Sequence, residues 1–110
     1  MAIRKKRRKK PAMLPEMLRS LFWDYHFWKL SWERDRDLVT ARVLAEGDWD
    51  AVKWLRKRLG DEALRAWIER RRGAGLTRQQ VRFWELMFGL PHRQVNEWLA
   101  QESRKVWDNR

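Results

Sequence analysis

The sequence predicts an all-α protein, a single compact bundle of five to six short helices that follows a basic N-terminal tail. Three observations indicate this fold class. Capping residues, apolar stripes with helical spacing and glycine stops recur along the chain. β-Branched residues nowhere alternate with polar ones, as they would in a half-buried strand. Nine tryptophans in 110 residues supply large apolar side chains for a small core.

The N-terminal tail is defined by its charge. Seven basic residues occupy seven consecutive positions, and the rest of the chain has 19 basic and 15 acidic side chains, so most of the net charge of +11 belongs to the tail. Such a run repels itself and buries little apolar surface, which predicts disorder over residues 1–12 and a helical domain over residues 13–110. It also predicts contact with polyanions such as nucleic acid through Arg4, Lys5, Lys6, Arg7, Arg8, Lys9 and Lys10.

The first predicted helix begins at Pro15, which suits the first helical position. Its apolar face comprises Met17, Leu18, Leu21 and Phe22. The aromatic segment that follows, residues 23–30, fits neither the helical nor the strand period. We expect it to form a packed turn or loop.

The central helices are predicted from their caps. Ser31 is expected to cap a long helix, with Gly47 as a left-handed stop. Asp48 and Asp61 are expected to cap the next two helices, and Gly60 separates these two.

The C-terminal part is predicted to be a pair of helices after a Gly-Ala-Gly linker at residues 73–75. Thr77 and Gln80 form a capping box, Gly89 ends the first helix, and Pro91 can begin the second. The apolar residues of the first helix are Val81, Phe83, Trp84, Met87 and Phe88. In the second helix, Val95, Trp98, Leu99 and Val106 are expected to share one side.

Residues for catalysis or metal binding are not evident. The chain has no cysteine, which excludes disulfides and thiolate chemistry and favours a cytoplasmic location. His26 and His92 show no metal-ligand spacing. No apolar stretch is long enough to span a membrane, and prolines and charges interrupt any signal-peptide core. We therefore expect no enzymatic activity, no cofactor, no metal and no membrane association.

A helix-turn-helix is the best nucleic-acid signal within the folded part. The helix after Pro91 would expose Arg93 and Gln94, residue types that read guanine and adenine in a major groove. Many helical hairpins share this outline without binding DNA, so the purely structural interpretation stays open.

The tryptophans indicate protein binding. Trp67, Trp84 and Trp98 follow apolar stripes and are expected in the core. A domain this small is unlikely to bury nine indoles, so others should form an exposed aromatic patch of the kind found at interfaces. The residues expected to bind a partner are Trp23, Tyr25, Phe27 and Trp28.

Several short motifs, spread over about residues 20–91, resemble a small prokaryotic antitoxin-like domain of unknown function. Members of that family are typically encoded beside nucleotidyltransferase toxins of the AbiEii type. The chain departs from the family at Tyr25-His26-Phe27, which is more aromatic than usual. The motifs are Phe22-Trp23-Asp24, Leu30 with Trp32-Glu33, Arg42-Val43-Leu44, Gly47, Trp54-Leu55, Gly60, Leu76-Thr77, Phe83-Trp84 and Gly89-Leu90-Pro91.

This resemblance implies a partner, and it leads to two main functional hypotheses. The first is an antitoxin that binds and neutralises a nucleotidyltransferase toxin. The alternative is a DNA- or RNA-binding module that uses the basic tail and the C-terminal helix pair. A structural adaptor is a third and weaker hypothesis.

Overall fold

The computed structural model describes residues 14–108 and shows an all-α protein, as predicted. This part of the chain contains no β-strand. Short 3-10 helices occupy Glu16–Phe22, Phe27–Lys29 and Glu102–Arg104. The predicted tail, including residues 4–10, lies outside the described residues. The α-helices are α1 (Trp32–Glu46), α2 (Trp49–Leu59), α3 (Asp61–Arg71), α4 (Arg78–Phe88), α5 (His92–Leu99) and α6 (Lys105–Asp108).

The first predicted helix is a 3-10 helix, and its predicted apolar face was partly wrong. Leu18 and Phe22 are buried, whereas Met17 is 48% exposed. The tighter 3-10 winding has three residues per turn instead of 3.6, so the α-helical spacing assigned the wrong face to Met17.

α1 begins as predicted but ends differently. The Ser31 hydroxyl accepts a hydrogen bond from the Arg34 amide at 3.2 Å, which confirms the cap. The left-handed stop at Gly47 was wrong, because this residue is extended, with φ −76° and ψ 154°. Glycine is needed at this position because the backbone passes close to α1. A Cβ atom on residue 47 would lie 2.7 Å from the Val43 carbonyl oxygen.

One of the two aspartate caps is confirmed. Asp48 accepts a hydrogen bond from the Ala51 amide at 2.9 Å. The cap assigned to Asp61 was wrong, because Gly60, at φ 92°, is the N-cap and makes no side-chain bond. Asp61 instead accepts two hydrogen bonds from the Arg56 guanidinium, at 2.9 and 2.7 Å.

The chain divides within α2 into two compact units, the first ending at Lys53 and the second beginning at Trp54. In the first unit, α1 packs against the 3-10 helix Glu16–Phe22. Val39 and Val43 of α1 have no exposed surface, and neither does Leu18 of the 3-10 helix. Phe22 is 1% exposed. Burial of each such side chain stabilises the fold by about 1.5–3 kcal/mol relative to exposure.

The second unit buries one face of each of its longer helices. Leu64, Ile68, Val81 and Val95 have no exposed surface. The predicted core indoles Trp67, Trp84 and Trp98 are at most 5% exposed, so this prediction is confirmed.

The helix pair α4 and α5 begins and turns as predicted. The capping box of Thr77 and Gln80 is present, and Gly89 is left-handed at φ 62°. The expectation that Val106 shares a helix side with Val95 was wrong, because α5 ends at Leu99 and Val106 lies in α6. Several apolar side chains of this part are also exposed. Phe83 is 41% exposed, Met87 38% and Val106 67%. A helix of this length can direct only one stripe into a core, and α4 carries more apolar residues than that stripe holds.

The Gly-Ala-Gly segment at 73–75 is anchored by Arg104, so it is not a free linker. The Arg104 side chain is 3% exposed and donates to the carbonyl oxygens of Gly73 at 3.1 Å and Leu76 at 2.6 Å. It also donates to Asp108 at 3.1 Å. This buried guanidinium therefore satisfies backbone groups that no helix satisfies.

Two further arginines bind carbonyls at helix ends. Arg65 donates to the Phe88 carbonyl oxygen at 3.0 Å, and Arg78 donates to that of Leu99 at 3.0 Å. Phe88 and Leu99 are the last residues of α4 and α5, where carbonyls lack intrahelical donors. Part of the basic charge of the folded chain is therefore structural.

We predict that Arg104→Met lowers the free energy of unfolding by about 3 kcal/mol. The substitution keeps the apolar stem but leaves the carbonyls of Gly73 and Leu76 and the Asp108 carboxylate without this donor. Chemical denaturation measures the loss. Lys105→Met is the control, since that side chain is 78% exposed. Equal stabilities of the two variants would contradict the anchoring role.

Candidate functional site

The candidate site is an irregular segment in the first unit, between the 3-10 helix Glu16–Phe22 and α1. A turn, closed by a 3.0 Å hydrogen bond from the Tyr25 amide to the Phe22 carbonyl, leads into the 3-10 helix Phe27–Lys29. Phe22, Phe27 and Leu30 face the interior, and the residues between them are exposed. Trp23 is 79% exposed, Tyr25 44% and Trp28 50%. We call these three side chains the aromatic surface.

Buried phenyl rings support the aromatic surface from beneath. Phe22 and Phe27 are 1% and 6% exposed, and their ring centroids are 6.1 Å apart. Tyr25 meets Phe22 edge-to-face at 6.2 Å, and Trp28 meets Phe27 edge-to-face at 4.9 Å. Because each of these exposed rings packs against a buried one, they are held in place before any partner binds.

Arg42 of α1 connects the irregular segment to this helix through hydrogen bonds and ring contacts. Its guanidinium carbon lies 5.4 Å from the Phe22 ring centroid and 5.6 Å from that of Tyr25. It donates to the Leu21 carbonyl oxygen at 2.7 Å and to both Asp24 carboxylate oxygens, at 3.0 and 3.4 Å. The hydrogen bond from Arg42 lowers the pKa of Asp24 below its usual value.

Arg19 occupies the corresponding position beside Trp28. Its guanidinium carbon lies 5.6 Å from the ring centroid, and its Nη1 is 3.3 Å from a Glu16 carboxylate oxygen. Both partners of this ion pair are more than half exposed. Such a pair contributes about 0–1 kcal/mol, so Arg19 is held far less firmly than Arg42.

The side chains between Glu16 and Trp28 border an open depression of about 670 Å³. Met17, Trp23 and Trp28 contribute to its lining. Its volume lies within the range of sites that accept small molecules or anchoring side chains. The arrangement can bury apolar groups of a partner.

Three of the four predicted partner-binding residues form the aromatic surface, and the fourth, Phe27, is buried. The expectation that Phe27 adds contact area is corrected, because its ring packs inward against Phe22 and Trp28. In this segment the local path of the irregular backbone, and not the hydrophobicity of the side chain, decides which ring is exposed. The sequence analysis did not predict that Arg19 and Arg42 contact the aromatic surface. For Arg42 a signal was available, because it is a cation within the apolar stripe of a predicted helix.

The residues predicted to read DNA lie on α5. Arg93 is exposed and Gln94 is half-buried. Their neighbour Asn96 accepts a hydrogen bond from Arg82 at 2.7 Å, so its amide oxygen is engaged within the protein.

A polar network joins α4 to α5 beside these residues. The Glu85 carboxylate lies 2.8 Å from Arg82 Nη1 and 2.6 Å from His92 Nδ1. The hydrogen bonds from Arg82 and then His92 lower the pKa of Glu85. These side chains therefore connect α4 to α5 by hydrogen bonds.

Comparison with known proteins adds one similarity. Residues 17–68 match the sequence profile of a family of unknown function, DUF6922. The match covers just under half of the chain and includes the aromatic surface, Arg19 and Arg42. The family description names no activity and no partner. The chain has no significant match among curated proteins or among solved structures.

Within residues 14–108, no three histidine, aspartate or glutamate side chains cluster in a way that could hold a metal ion. In the same part of the chain, no helix has the length and apolar character needed to cross a membrane.

We predict that Asp24→Asn makes the thermal midpoint fall less steeply as the pH is lowered into the acid range. The pKa of Asp24 is lowered in the folded state, so its pair with Arg42 stabilises the protein fully above the ordinary value of 3.8 and is lost as the pH falls through the lower folded value. The measurement is the thermal midpoint against pH. Asp50→Asn is the control, because Asp50 is 76% exposed and 3.8 Å from Lys53. Identical acid profiles for Asp24→Asn and the wild type would show that the pair of Asp24 with Arg42 does not stabilise the protein.

Proposed function

We propose that this chain is a non-enzymatic, antitoxin-like protein that acts in the cytoplasm and uses its aromatic surface to bind a protein partner. The observation that carries the proposal is the exposure of Trp23, Tyr25 and Trp28 around an open depression, with Tyr25 and Trp28 packed on buried phenyl rings. On the basis of the family resemblance, we propose nucleotidyltransferase toxins as the class of partner.

The physical properties of the surface support this function. Large exposed rings leave apolar area in contact with water, and a partner that covers this area gains its transfer free energy. Tyrosine and tryptophan also have few rotatable bonds, so ordering them on binding costs little entropy. The packing of Tyr25 and Trp28 on Phe22 and Phe27 lowers that entropy cost further.

Neutralisation would follow from steric exclusion. A partner bound across the aromatic surface would have part of its own surface covered by this unit. If that part includes the toxin active site or the approach to it, substrate is excluded without any chemistry by this chain.

We predict that Trp28→Ala weakens binding to the toxin about thirtyfold or more. Loss of one hot-spot indole commonly costs about 2 kcal/mol of binding free energy. The test uses the nucleotidyltransferase encoded in the neighbouring reading frame, with affinity measured by calorimetry and rescue of growth measured on co-expression. Trp49→Ala is the matched control, because Trp49 is also about half exposed, at 48%, and lies outside the surface.

The outcomes separate the alternatives. Weaker binding with an unchanged thermal midpoint supports an interface at Trp28. A collapsed midpoint would place Trp28 among the residues that stabilise the fold. Absence of a nucleotidyltransferase from the neighbouring frame, or full growth rescue by a Trp23→Ala and Trp28→Ala double variant, would refute the antitoxin proposal.

Nucleic-acid binding is the second candidate, and the exposure of Arg93 on α5 is the observation that favours it. The basic tail, residues 4–10, supplies charge but no means of reading sequence. Against selective reading, Gln94 is half-buried, and exposed Glu97 lies on the same helix. We therefore propose that any DNA or RNA affinity is electrostatic and resides mainly in the tail.

We predict that affinity for duplex DNA falls steeply with salt, varies little with sequence, and is lost when residues 4–10 are deleted. Fluorescence anisotropy over a salt series measures this. The comparison variant is Arg93→Ala in the full chain, which should change affinity only slightly. Sequence-selective binding by the truncated protein would instead assign recognition to α5.

A further inference from the structure

We propose that three consecutive arginines at the C-terminal end of α3, Arg70, Arg71 and Arg72, form a contact site for the phosphate backbone of duplex DNA. The inference rests on the nucleic-acid candidate and is independent of the antitoxin proposal. It adds a binding site in the second unit to the basic tail.

The unpaired charge of the second unit is positive. Its described residues, 54–108, contain 12 basic and seven acidic side chains. The two acids without a printed cation partner are Glu62, in the first turn of α3, and Glu97, on α5. All three arginines are exposed, and none forms an ion pair within the described part of the chain. The five acids that are paired bind other cations of this unit, and they are Asp61, Glu69, Glu85, Glu102 and Asp108.

The end of the helix accounts for only part of this charge. The carbonyls at a helix C-terminus carry about half a negative charge, which favours a nearby cation, whereas three successive cations also repel one another. Arg72 has a left-handed backbone, with φ 53° and ψ 38°, and is the only non-glycine residue with a positive φ among residues 14–108. Glycine adopts this conformation without the steric cost of a Cβ atom. Backbone geometry therefore favours glycine at position 72, and contact with an anion explains the arginine.

Arg71 is held in position before a ligand binds. Its guanidinium carbon lies 4.7 Å from the ring centroid of Trp67, one turn earlier on α3. Trp67 is 4% exposed, so the core fixes this ring. Stacking on the ring uses a face of the guanidinium and leaves its N–H edge for an oxyanion. Arg71 therefore loses little conformational freedom when it binds a phosphate.

The close spacing of these cations favours duplex DNA as the ligand. The duplex carries one negative charge per about 1.7 Å of its axis, and its condensed counterions are released when arginine binds. Contacts to its phosphates need no access to the bases. Single strands also bind by stacking on exposed rings, and Trp67, the ring beside this site, is buried. An acidic polypeptide is the competing ligand that the experiment includes.

The site adds to the tail and does not replace it. About six to ten phosphate contacts are typical of proteins whose DNA affinity depends steeply on salt. Three contacts alone are too few for measurable binding at physiological salt. The contribution of α3 is therefore measured in the full chain.

The experiment measures binding of the full chain to a labelled DNA duplex by fluorescence anisotropy over a salt series. The variant combines Arg70→Gln, Arg71→Gln and Arg72→Gln. We expect the slope of log K against log salt to become less steep by about 2–3, because each phosphate contact contributes about 0.9. The affinity at about 0.1 M salt should fall at least about tenfold. Lysine at all three positions should keep the wild-type slope, since lysine also neutralises phosphates.

A matched control removes three exposed cations from the first unit, by Lys29→Gln, Arg36→Gln and Lys53→Gln. The described residues of that unit, 14–53, contain six basic and eight acidic side chains, so it has no excess of positive charge. The control changes the net charge equally, and we expect its slope to change by less than about 1.

Arg72→Gly separates binding from folding. Glycine relieves the left-handed backbone, so we expect a slightly higher thermal midpoint together with a slope less steep by about 1. This variant keeps the test decisive even if the triple glutamine variant is less stable than the wild type.

The other outcomes overturn defined statements. If the full chain binds DNA but the triple glutamine variant and Arg72→Gly keep the wild-type slope, the α3 site is refuted while the tail proposal stands. If the control lowers the slope as much as the glutamine variant, the effect is one of net charge and the local site is refuted. If polyglutamate of equal charge displaces the duplex and depends more strongly on these arginines, the site binds acidic polypeptides instead. If the full chain does not bind DNA, both the site and the nucleic-acid candidate are refuted.

Discussion

The Arg42 guanidinium is the interaction on which the candidate site depends. It lies against the rings of Phe22 and Tyr25 and bonds the Leu21 carbonyl and the Asp24 carboxylate. The segment has no sheet and no long helix to fix its backbone, so an external group must satisfy its polar atoms. One planar cation from α1 does this while keeping its stem among apolar side chains. The exposed rings of Tyr25 and Trp28 can then be held against buried rings on a backbone that is otherwise irregular.

Arginine performs the same task in the second unit. Arg104 bonds the carbonyl oxygens of Gly73 and Leu76. Arg65 and Arg78 bond the last carbonyls of α4 and α5. Carbonyls at helix ends and in loops lack backbone donors, and a guanidinium has five N–H groups in a fixed plane. The chain therefore uses arginine in place of longer regular structure. Its basic composition accordingly reflects internal hydrogen bonding as well as affinity for anions.

This distribution of roles bears on function. Where a cation is engaged by backbone oxygens, it is unavailable to a ligand; where it is paired only at the surface, as Arg19 is with Glu16, a partner can compete for it. The tryptophans divide in the same way. Trp67, Trp84 and Trp98 stabilise the fold, whereas Trp23 and Trp28 present apolar area to solvent. Protein binding by the second group is thus compatible with stability provided by the first.

The sequence by itself determined the helical fold class, most helix bounds, the caps at Ser31, Asp48 and Thr77, and the indoles of the core. These depend on spacing and on side chains that act within one or two turns of their own position. Only the tertiary structure decided that Phe27 is buried beside exposed Trp28, that Met17 and Phe83 face outward, and that Arg42 and Arg104 anchor distant backbone. In an irregular or 3-10 segment no fixed period assigns a side chain to a face. A guanidinium 18 or 31 residues from its acceptor leaves no local pattern, because such bonds depend on where packing brings the backbone.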